Sequence, residues 1–145
     1  MSKVVIGIDP DSKAHGVAVY LDNELIELKC LMLPEFIGLL EGYNKDFDDI
    51  EIHIEDVCAN SAAFQKSGIK NAKAATAINR SIGKCQQSQI ELERFLTYYD
   101  VKVVKHKISK TWKKDKAQFE LVTGWGGRSN EDTRSAAWFG YYGVK

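Results

Sequence analysis

Residues 4–31 read VVIGIDPDSKAHGVAVYLDNELIELKCL, and this stretch decides the fold. It contains three runs rich in β-branched and apolar residues, and the turn-forming residues Asp-Pro-Asp-Ser separate the first run from the second. The pair Asp22 and Asn23 separates the second run from the third, and such a pair favours a two-residue hairpin turn. The pattern therefore predicts a hairpin preceded by one further strand, with strands at residues 4–9, 15–21 and 24–31.

The rest of the chain alternates helices with strands. Apolar residues at helical spacing predict helices at residues 34–43, 82–99, 111–122 and 131–142, the last with Asn130 as its N-cap, and two further runs predict strands at 50–57 and 101–106. Residues 61–81, rich in Ala, Asn, Ser and Lys, fit a loop or a partly ordered helix over a polar partner. The order β-β-β-α-β-α-β-α-α, without a repeat or linker, predicts a single α/β domain over residues 1–145.

The charges of this chain are unevenly distributed, although 20 basic and 20 acidic residues give a formal net charge of zero. Residues 1–56 hold 13 acids and 4 bases, residues 66–116 hold 13 bases and 4 acids, and residues 117–145 hold 3 of each. Neutrality thus results from two oppositely charged parts that cancel. Such asymmetry points towards a nucleic-acid partner.

Composition excludes several classes of protein. A hydrophobic content of 44% is ordinary for a globular protein with a core. No apolar run approaches the roughly 20 residues of a membrane span, and the first residues enter a strand pattern at once, so we expect a cytoplasmic protein without a membrane partner. Cys30, Cys58 and Cys85 lie far apart without zinc-site spacing, which predicts buried free thiols and neither a disulfide nor structural zinc.

Acidic residues at three places in the sequence are candidates for a functional role. Asp9 ends an apolar strand, Glu55 ends the alternating run IEIHIE at residues 50–55, and Glu131 and Asp132 open the last helix. Each has an ordinary explanation by itself: Asp9 as a turn residue or helix cap, Glu55 on a solvated sheet face, and the last pair as acids that favour a helix dipole. Together they suit hard divalent cations, because Mg²⁺ prefers carboxylate oxygens and two such ions can promote phosphodiester hydrolysis.

Four segments carry a resemblance to a known family. VVIGIDPDSKAHG resembles the first motif of RuvC-type Holliday junction resolvases, IHIEDV resembles the second with Glu55 in the catalytic position, SIGKCQQSQ resembles the start of the long helix, and NEDTRSAAWFG resembles the last motif. The resemblance covers nearly the whole chain and is compatible with a phage or prophage member. It implies an RNase H-like fold, built on a central mixed five-stranded sheet flanked by helices, and a homodimer.

The same resemblance implies an activity and a set of site residues. We expect a crossover junction endodeoxyribonuclease that uses two Mg²⁺ ions, or Mn²⁺ in their place. Asp9, Glu55 and Asp132 would be catalytic and would bind the metal, with Glu131 as a further ligand. The chain departs from the family pattern at Asp11, where Gly is usual, at Cys58, where an aromatic residue is common, and at Ser135, where a second acid is expected.

The basic segment independently favours nucleic acid, because lysines that neutralise phosphates supply sequence-independent affinity. A solvated helix face is the ordinary alternative for such a run. Trp112 lies within it and fits either core packing or stacking on a base. The residues expected to contact nucleic acid are Arg80, Lys84, Lys107, Lys110, Lys113, Lys114 and Lys116.

Three functions are compatible with these features. The leading hypothesis is a metal-dependent endonuclease of branched DNA, with other branched structures or RNA–DNA hybrids as competing substrates. The second is an RNase H-like protein that binds nucleic acid without hydrolysis, which Ser135 in place of an acid favours. An actin-like nucleotide-binding protein is disfavoured, because that fold normally needs two such domains and 145 residues are too few.

Overall fold

The computed structural model describes residues 2–59, 72–107 and 111–144. In these ranges five strands and four α-helices follow one another in the predicted order. Short 3-10 turns lie at Val57–Ala59 and Thr111–Lys113. The elements are β1 (Lys3–Asp9), β2 (His15–Leu21), β3 (Glu24–Leu31), α1 (Leu33–Asp46), β4 (Asp49–Glu55), α2 (Ala72–Leu96), β5 (Lys102–His106), α3 (Lys116–Thr123) and α4 (Glu131–Tyr141).

The strands form one mixed sheet in the order β3-β2-β1-β4-β5. β1, β2 and β3 pair antiparallel, whereas β4 lies parallel to β1 and β5 lies parallel to β4. The β2–β3 hairpin turns at Asp22 and Asn23, whose φ angles of 48° and 72° are those of a type I′ turn. An antiparallel meander extended by two parallel strands is the RNase H-like arrangement, so the predicted fold class is confirmed.

Side chains on the two faces of the sheet pack into separate cores. Ile6, Ile8, Ile52 and Ile54 belong to the core that includes side chains of α1 and α2. Val5 and its neighbours on the other face pack against α4 and the Thr111–Lys113 turn. Because side chains alternate along a strand, the odd-numbered residues of β1 and β4 face α4.

α4 lies close against the sheet because two glycines of the strands leave room for its backbone. A Cβ atom added at Gly7 would lie 2.0 Å from the carbonyl oxygen of Ala136. The buried Tyr20 hydroxyl donates a hydrogen bond of 2.8 Å to the carbonyl oxygen of Ala137, which fixes the helix over β2. The position of α4 therefore depends on contacts between residues more than 100 positions apart in sequence.

Polar side chains of β4 and β5 form a chain of contacts beneath α4. His53 is 3% exposed, and its ring nitrogens lie 2.6 Å from Glu51 Oε1 and 2.7 Å from His106 Nε2. The His106 ring stacks on His53 and also packs against Phe139 of α4. The predicted alternation of β4 is confirmed, but the ordinary reading of this face as solvated is wrong for His53 because α4 covers it.

The stability of this contact chain is expected to depend on pH through Glu51. Burial acts to raise the pKa of Glu51, but hydrogen bonds from His53 and Lys3 outweigh it and hold the pKa below its ordinary value of 4.5. A depressed pKa in the folded state stabilises the protein above the ordinary carboxyl pKa, and that contribution is lost as pH falls through the folded-state value.

Lowering the pH from about 6 to about 3 should therefore reduce the free energy of unfolding more for the wild type than for Glu51→Gln, which has no carboxylate to protonate at this position. Urea unfolding at a series of pH values measures this difference. Glu24→Gln, at an exposed residue of the hairpin, provides the matched control. Parallel curves for the wild type and Glu51→Gln would contradict this role for Glu51.

Some predicted boundaries and environments differ from the structure. α2 begins at Ala72, ten residues before the predicted start, while residues 61–71 of the predicted loop lie outside the described residues. The helix predicted at 111–122 is divided into a 3-10 turn and α3, because the Asp115 side chain accepts a hydrogen bond from the Gln118 backbone and caps a new helix. The predicted N-cap Asn130 is confirmed by its hydrogen bond from the Thr133 backbone.

The environment predicted for the cysteines is wrong. Cys30 and Cys58 are exposed and Cys85 is half-buried. Sequence spacing gave no information on burial here, because burial depends on which neighbouring elements cover each residue. Among the described residues, no helix combines the length and apolar character needed to cross a membrane.

Candidate active site

Asp9 and Glu55 stand at the same edge of the sheet. Ile8 of β1 pairs with Ile54 of β4 in parallel register, so each acid is the next residue on its strand. Ile8 and Ile54 are in the core against α1 and α2, and alternation therefore directs both acids towards the face that α4 covers. Asp9 is only 5% exposed, which is unusual for a carboxylate that merely ends a strand.

Asp132 reaches the same corner through the packing of α4. Asp9 pairs with Gly16 of β2, and a Cβ added at Gly16 would lie 2.3 Å from the Asp132 carbonyl oxygen and 3.2 Å from its Cβ atom. The first turn of α4 therefore lies directly over the strand neighbour of Asp9. The fold brings the backbones of Asp9, Glu55 and Asp132 to one corner of the sheet.

The carboxylate of Glu131, the fourth predicted ligand, lies beside a lysine. Lys114 Nζ lies 2.6 Å from Glu131 Oε1. The hydrogen bond and the charge of Lys114 hold the pKa of Glu131 below its ordinary value. Glu131 is therefore ionised and paired with a residue that the sequence assigned to nucleic-acid binding.

The donors at this corner suit a hard cation, but their side chains do not yet form a complete site. Carboxylate oxygens are the ligands that Mg²⁺ and Mn²⁺ prefer. Over residues 2–59, 72–107 and 111–144, no group of three or more His, Cys, Asp or Glu side chains is arranged to hold a metal ion. The chemistry and the backbone positions therefore fit a metal, and binding would have to draw the carboxylates together.

His15 lies beside Asp9 and was not among the site residues predicted from the sequence. His15, at the start of β2, is 4% exposed, and its Nδ1 accepts a hydrogen bond of 3.3 Å from the Asp11 backbone. Burial lowers the pKa of His15, and the carboxylates of Asp11, Asp9 and Glu91 oppose this effect. The position of His15 immediately before Gly16, antiparallel to the end of β1, was the available signal.

Cys85 of α2 also lies near these acids and was not among the predicted site residues. Burial raises the pKa of the Cys85 thiol, and the charges of Asp11, Asp9 and Glu55 raise it further, against a hydrogen bond with the Ser12 backbone. The thiol therefore stays protonated at neutral pH and adds no negative charge to the acids. The sequence around Cys85 did not indicate this position, because only the packing of α2 brings Cys85 to the ends of the strands.

The predicted basic residues that the structure describes lie in three parts of the chain. Arg80 and Lys84 are exposed on α2, five residues and one residue before Cys85. Half-buried Lys113 and exposed Lys114 contact α4 through Arg134 and Glu131, Lys116 is exposed at the start of α3, and Lys107 is exposed after β5. Lys110 lies outside the described residues. Trp112 is 2% exposed and packs against Phe119 and Trp138, which supports the core reading of this residue.

Comparisons with known proteins found a similarity of fold only. No protein-family model matches the chain, and no curated protein matches it significantly. A structure of Thermus thermophilus RuvC in complex with a Holliday junction substrate is similar with a TM-score of 0.46 and 15% identity, over 94% of this chain and 90% of that one. A second Thermus thermophilus RuvC structure gives 0.43 and 14% over the same shares.

Proposed function

We propose that this chain is a divalent-metal-dependent endonuclease that hydrolyses phosphodiester bonds in branched DNA, with the four-way junction as its substrate. The observation that supports the proposal is the meeting of Asp9, Glu55 and Asp132 at one corner of an RNase H-like sheet. Lysines beside that corner would offset the repulsion between carboxylates and a DNA phosphate. Residues 1–145 would then form one nuclease domain.

The carboxylates would hold the metal and the lysines would hold the DNA. Bound Mg²⁺ or Mn²⁺, as a pair of ions, would activate a water molecule and stabilise the leaving oxygen. Asp9, Glu55 and Asp132 would supply ligand oxygens from two strands and one helix. Lys113 and Lys114 would hold the phosphate backbone near Asp132.

We also propose that the protein acts as a homodimer, because a two-fold symmetric enzyme can cut a two-fold symmetric junction at two equivalent positions. α2 is the proposed interface. Two of its apolar side chains, Ile90 and Phe95, are 38% and 45% exposed, which supports this choice. Sedimentation equilibrium of the full chain tests the dimer.

The proposal predicts metal-dependent cleavage with a preference for branched substrates. A labelled four-way junction, a linear duplex of the same sequence and an RNA–DNA hybrid are incubated with the protein and Mg²⁺, Mn²⁺ or EDTA. We expect cleavage of the junction with either metal, slower cleavage of the other substrates and none in EDTA. Absence of cleavage with both metals would exclude the nuclease proposal.

A second candidate function is binding of branched DNA without hydrolysis. Ser135 stands where the resemblance places a second acid, is 0% exposed, and its hydroxyl has no hydrogen-bond partner among the described residues. A buried hydroxyl supplies a weaker metal ligand than a carboxylate. This candidate predicts junction binding that weakens with salt, with no turnover in either metal.

A further inference from the structure

Arg134 in α4 holds the turn that precedes α3. Its Nε and Nη2 atoms donate hydrogen bonds of 3.1 and 3.0 Å to the backbone carbonyl oxygens of Trp112 and Lys113, and its Nη1 atom lies 3.1 Å from Ser129 Oγ. We refer to residues 111–114 as the basic turn. The basic turn is therefore fixed in two ways, by the buried Trp112 side chain and by the hydrogen bonds from Arg134 to the backbone carbonyls of Trp112 and Lys113.

The result of this anchoring is the position of Lys114. Its ammonium group lies 2.6 Å from Glu131 Oε1, at the first residue of α4 and next to Asp132 in sequence. The Lys114 side chain is 76% exposed and that of Glu131 is 47% exposed. An ion pair this exposed contributes little to stability, so another anion can replace the carboxylate at small cost.

The contacts of Arg134 differ in kind from this pair. Arg134 is half-buried, and all three of its guanidinium nitrogens make contacts inside the protein. Its planar fork suits two neighbouring carbonyl oxygens, which a lysine cannot contact in the same way. Arg134 thus has the features of a fixed support, whereas Lys114 has those of an exchangeable anion contact.

We infer that Arg134 is a positioning residue that holds Lys113 and Lys114 as a phosphate-binding pair at the start of α4. The Glu131 carboxylate pairs with the Lys114 ammonium group in the free protein, and a DNA phosphate displaces that carboxylate on binding. This inference rests on the proposed function, because it requires that the protein binds DNA. It assigns a role to Arg134, which is outside the set of basic residues expected from the sequence, and a second role to Glu131.

A thermodynamic cycle on DNA binding tests the role of Arg134. Fluorescence anisotropy with a labelled four-way junction in EDTA reports binding without chemistry. We expect Arg134→Gln to weaken binding about tenfold at low salt, and Lys113→Gln combined with Lys114→Gln to weaken it at least as much while reducing the salt slope by about two. In the background lacking both lysines, Arg134→Gln should change affinity less than about twofold.

Thermal unfolding is followed for each variant, because a merely structural role would change stability without this non-additivity in affinity. Should Arg134→Gln lower Tm below the assay temperature, Arg134→Lys, which keeps the charge but loses the fork, takes its place in the cycle. Lys45→Gln, at an exposed residue of α1, controls for the loss of one positive charge. Multiplicative effects of Arg134 and the lysines would overturn the positioning role, since Arg134 would then contact DNA itself.

A second cycle tests the exchange at Lys114. Glu131→Gln should bind the junction about threefold more tightly, because the phosphate no longer competes with a carboxylate for the ammonium group, and this gain should vanish in the Lys114→Gln background. Glu24→Gln controls for the change in net charge and should have no comparable effect. A gain that persists without Lys114 would overturn the exchange.

The two proposals fail in different ways in these measurements. A wild-type protein that shows no salt-sensitive junction binding contradicts the proposed function. A wild-type protein that binds, together with an Arg134→Gln variant of unchanged affinity, contradicts only the inference and leaves the proposed function standing.

Discussion

Replacing Asp9 with asparagine is expected to reduce Mg²⁺-dependent junction cleavage by at least about a hundredfold, because a metal ligand contributes more than the outer-shell partners whose loss costs ten- to hundredfold. The substitution keeps the size of the side chain but removes the charge that a cation needs. Asp9 is 5% exposed at the end of β1, so the effect arises at one defined corner of the sheet. Single-turnover cleavage of a labelled junction measures the loss.

Binding and a matched substitution separate this effect from misfolding. Asp9→Asn should bind the junction in EDTA within about threefold of the wild type, because the proposed phosphate contacts are made by lysines. Asp48→Asn makes the same chemical change at an exposed position before β4, at the opposite end of the sheet, and should cleave normally. Undiminished cleavage by Asp9→Asn would remove Asp9 from the reaction.

The sequence predicted the strand ends of the candidate site because local patterns specify them. Asp9 and Glu55 follow apolar runs whose length and alternation define where each strand stops. Their shared face follows from alternation once β1 and β4 are parallel neighbours. That pairing is a long-range property, and for this chain it came from the family resemblance and not from the residue pattern itself.

Residues that act through tertiary contacts were not predictable from local patterns. Arg134 looks like an ordinary helix-surface arginine, and only the fold brings the carbonyls of Trp112 and Lys113 to its guanidinium. Cys85 likewise reaches the acids only when α2 packs along the sheet. The predicted burial of the thiols failed for the same reason, because burial depends on which faces the other elements cover.

In the folded structure, ion pairs neutralise part of the positive charge of the basic segment. Several lysines of the basic segment pair with acids, as Lys114 does with Glu131 and Lys105 does with Glu93, at 2.6 and 3.4 Å. Part of the positive charge is therefore compensated within the protein. Of these two paired lysines, Lys114 has the more exposed acidic partner, because the Glu131 side chain is 47% exposed and that of Glu93 is 31% exposed. A phosphate therefore displaces the carboxylate more easily at the start of α4.

Replacing Gly7 with alanine is expected to destabilise the protein by about 3 kcal/mol, at the upper end of the range for overpacking a core. The added Cβ would lie 2.0 Å from the Ala136 carbonyl oxygen and 2.6 Å from the Gly140 nitrogen, and both are backbone atoms that cannot rotate away. α4 would have to move off the sheet, and with it Asp132. Urea unfolding measures the change in free energy.

Gly83→Ala is the control, because a Cβ at Gly83 in α2 would meet no atom of residues 2–59, 72–107 and 111–144 within 4 Å, apart from the backbone of its own helix. Alanine in a helix interior restricts the unfolded chain, so this variant should be more stable than the wild type by about 0.4–1 kcal/mol. The opposite signs of the two changes distinguish the contact of α4 with β1 from any general effect of replacing glycine. Equal stability of Gly7→Ala and the wild type would show that α4 does not pack on β1 this closely, and the placement of Asp132 beside Asp9 would then lose its support.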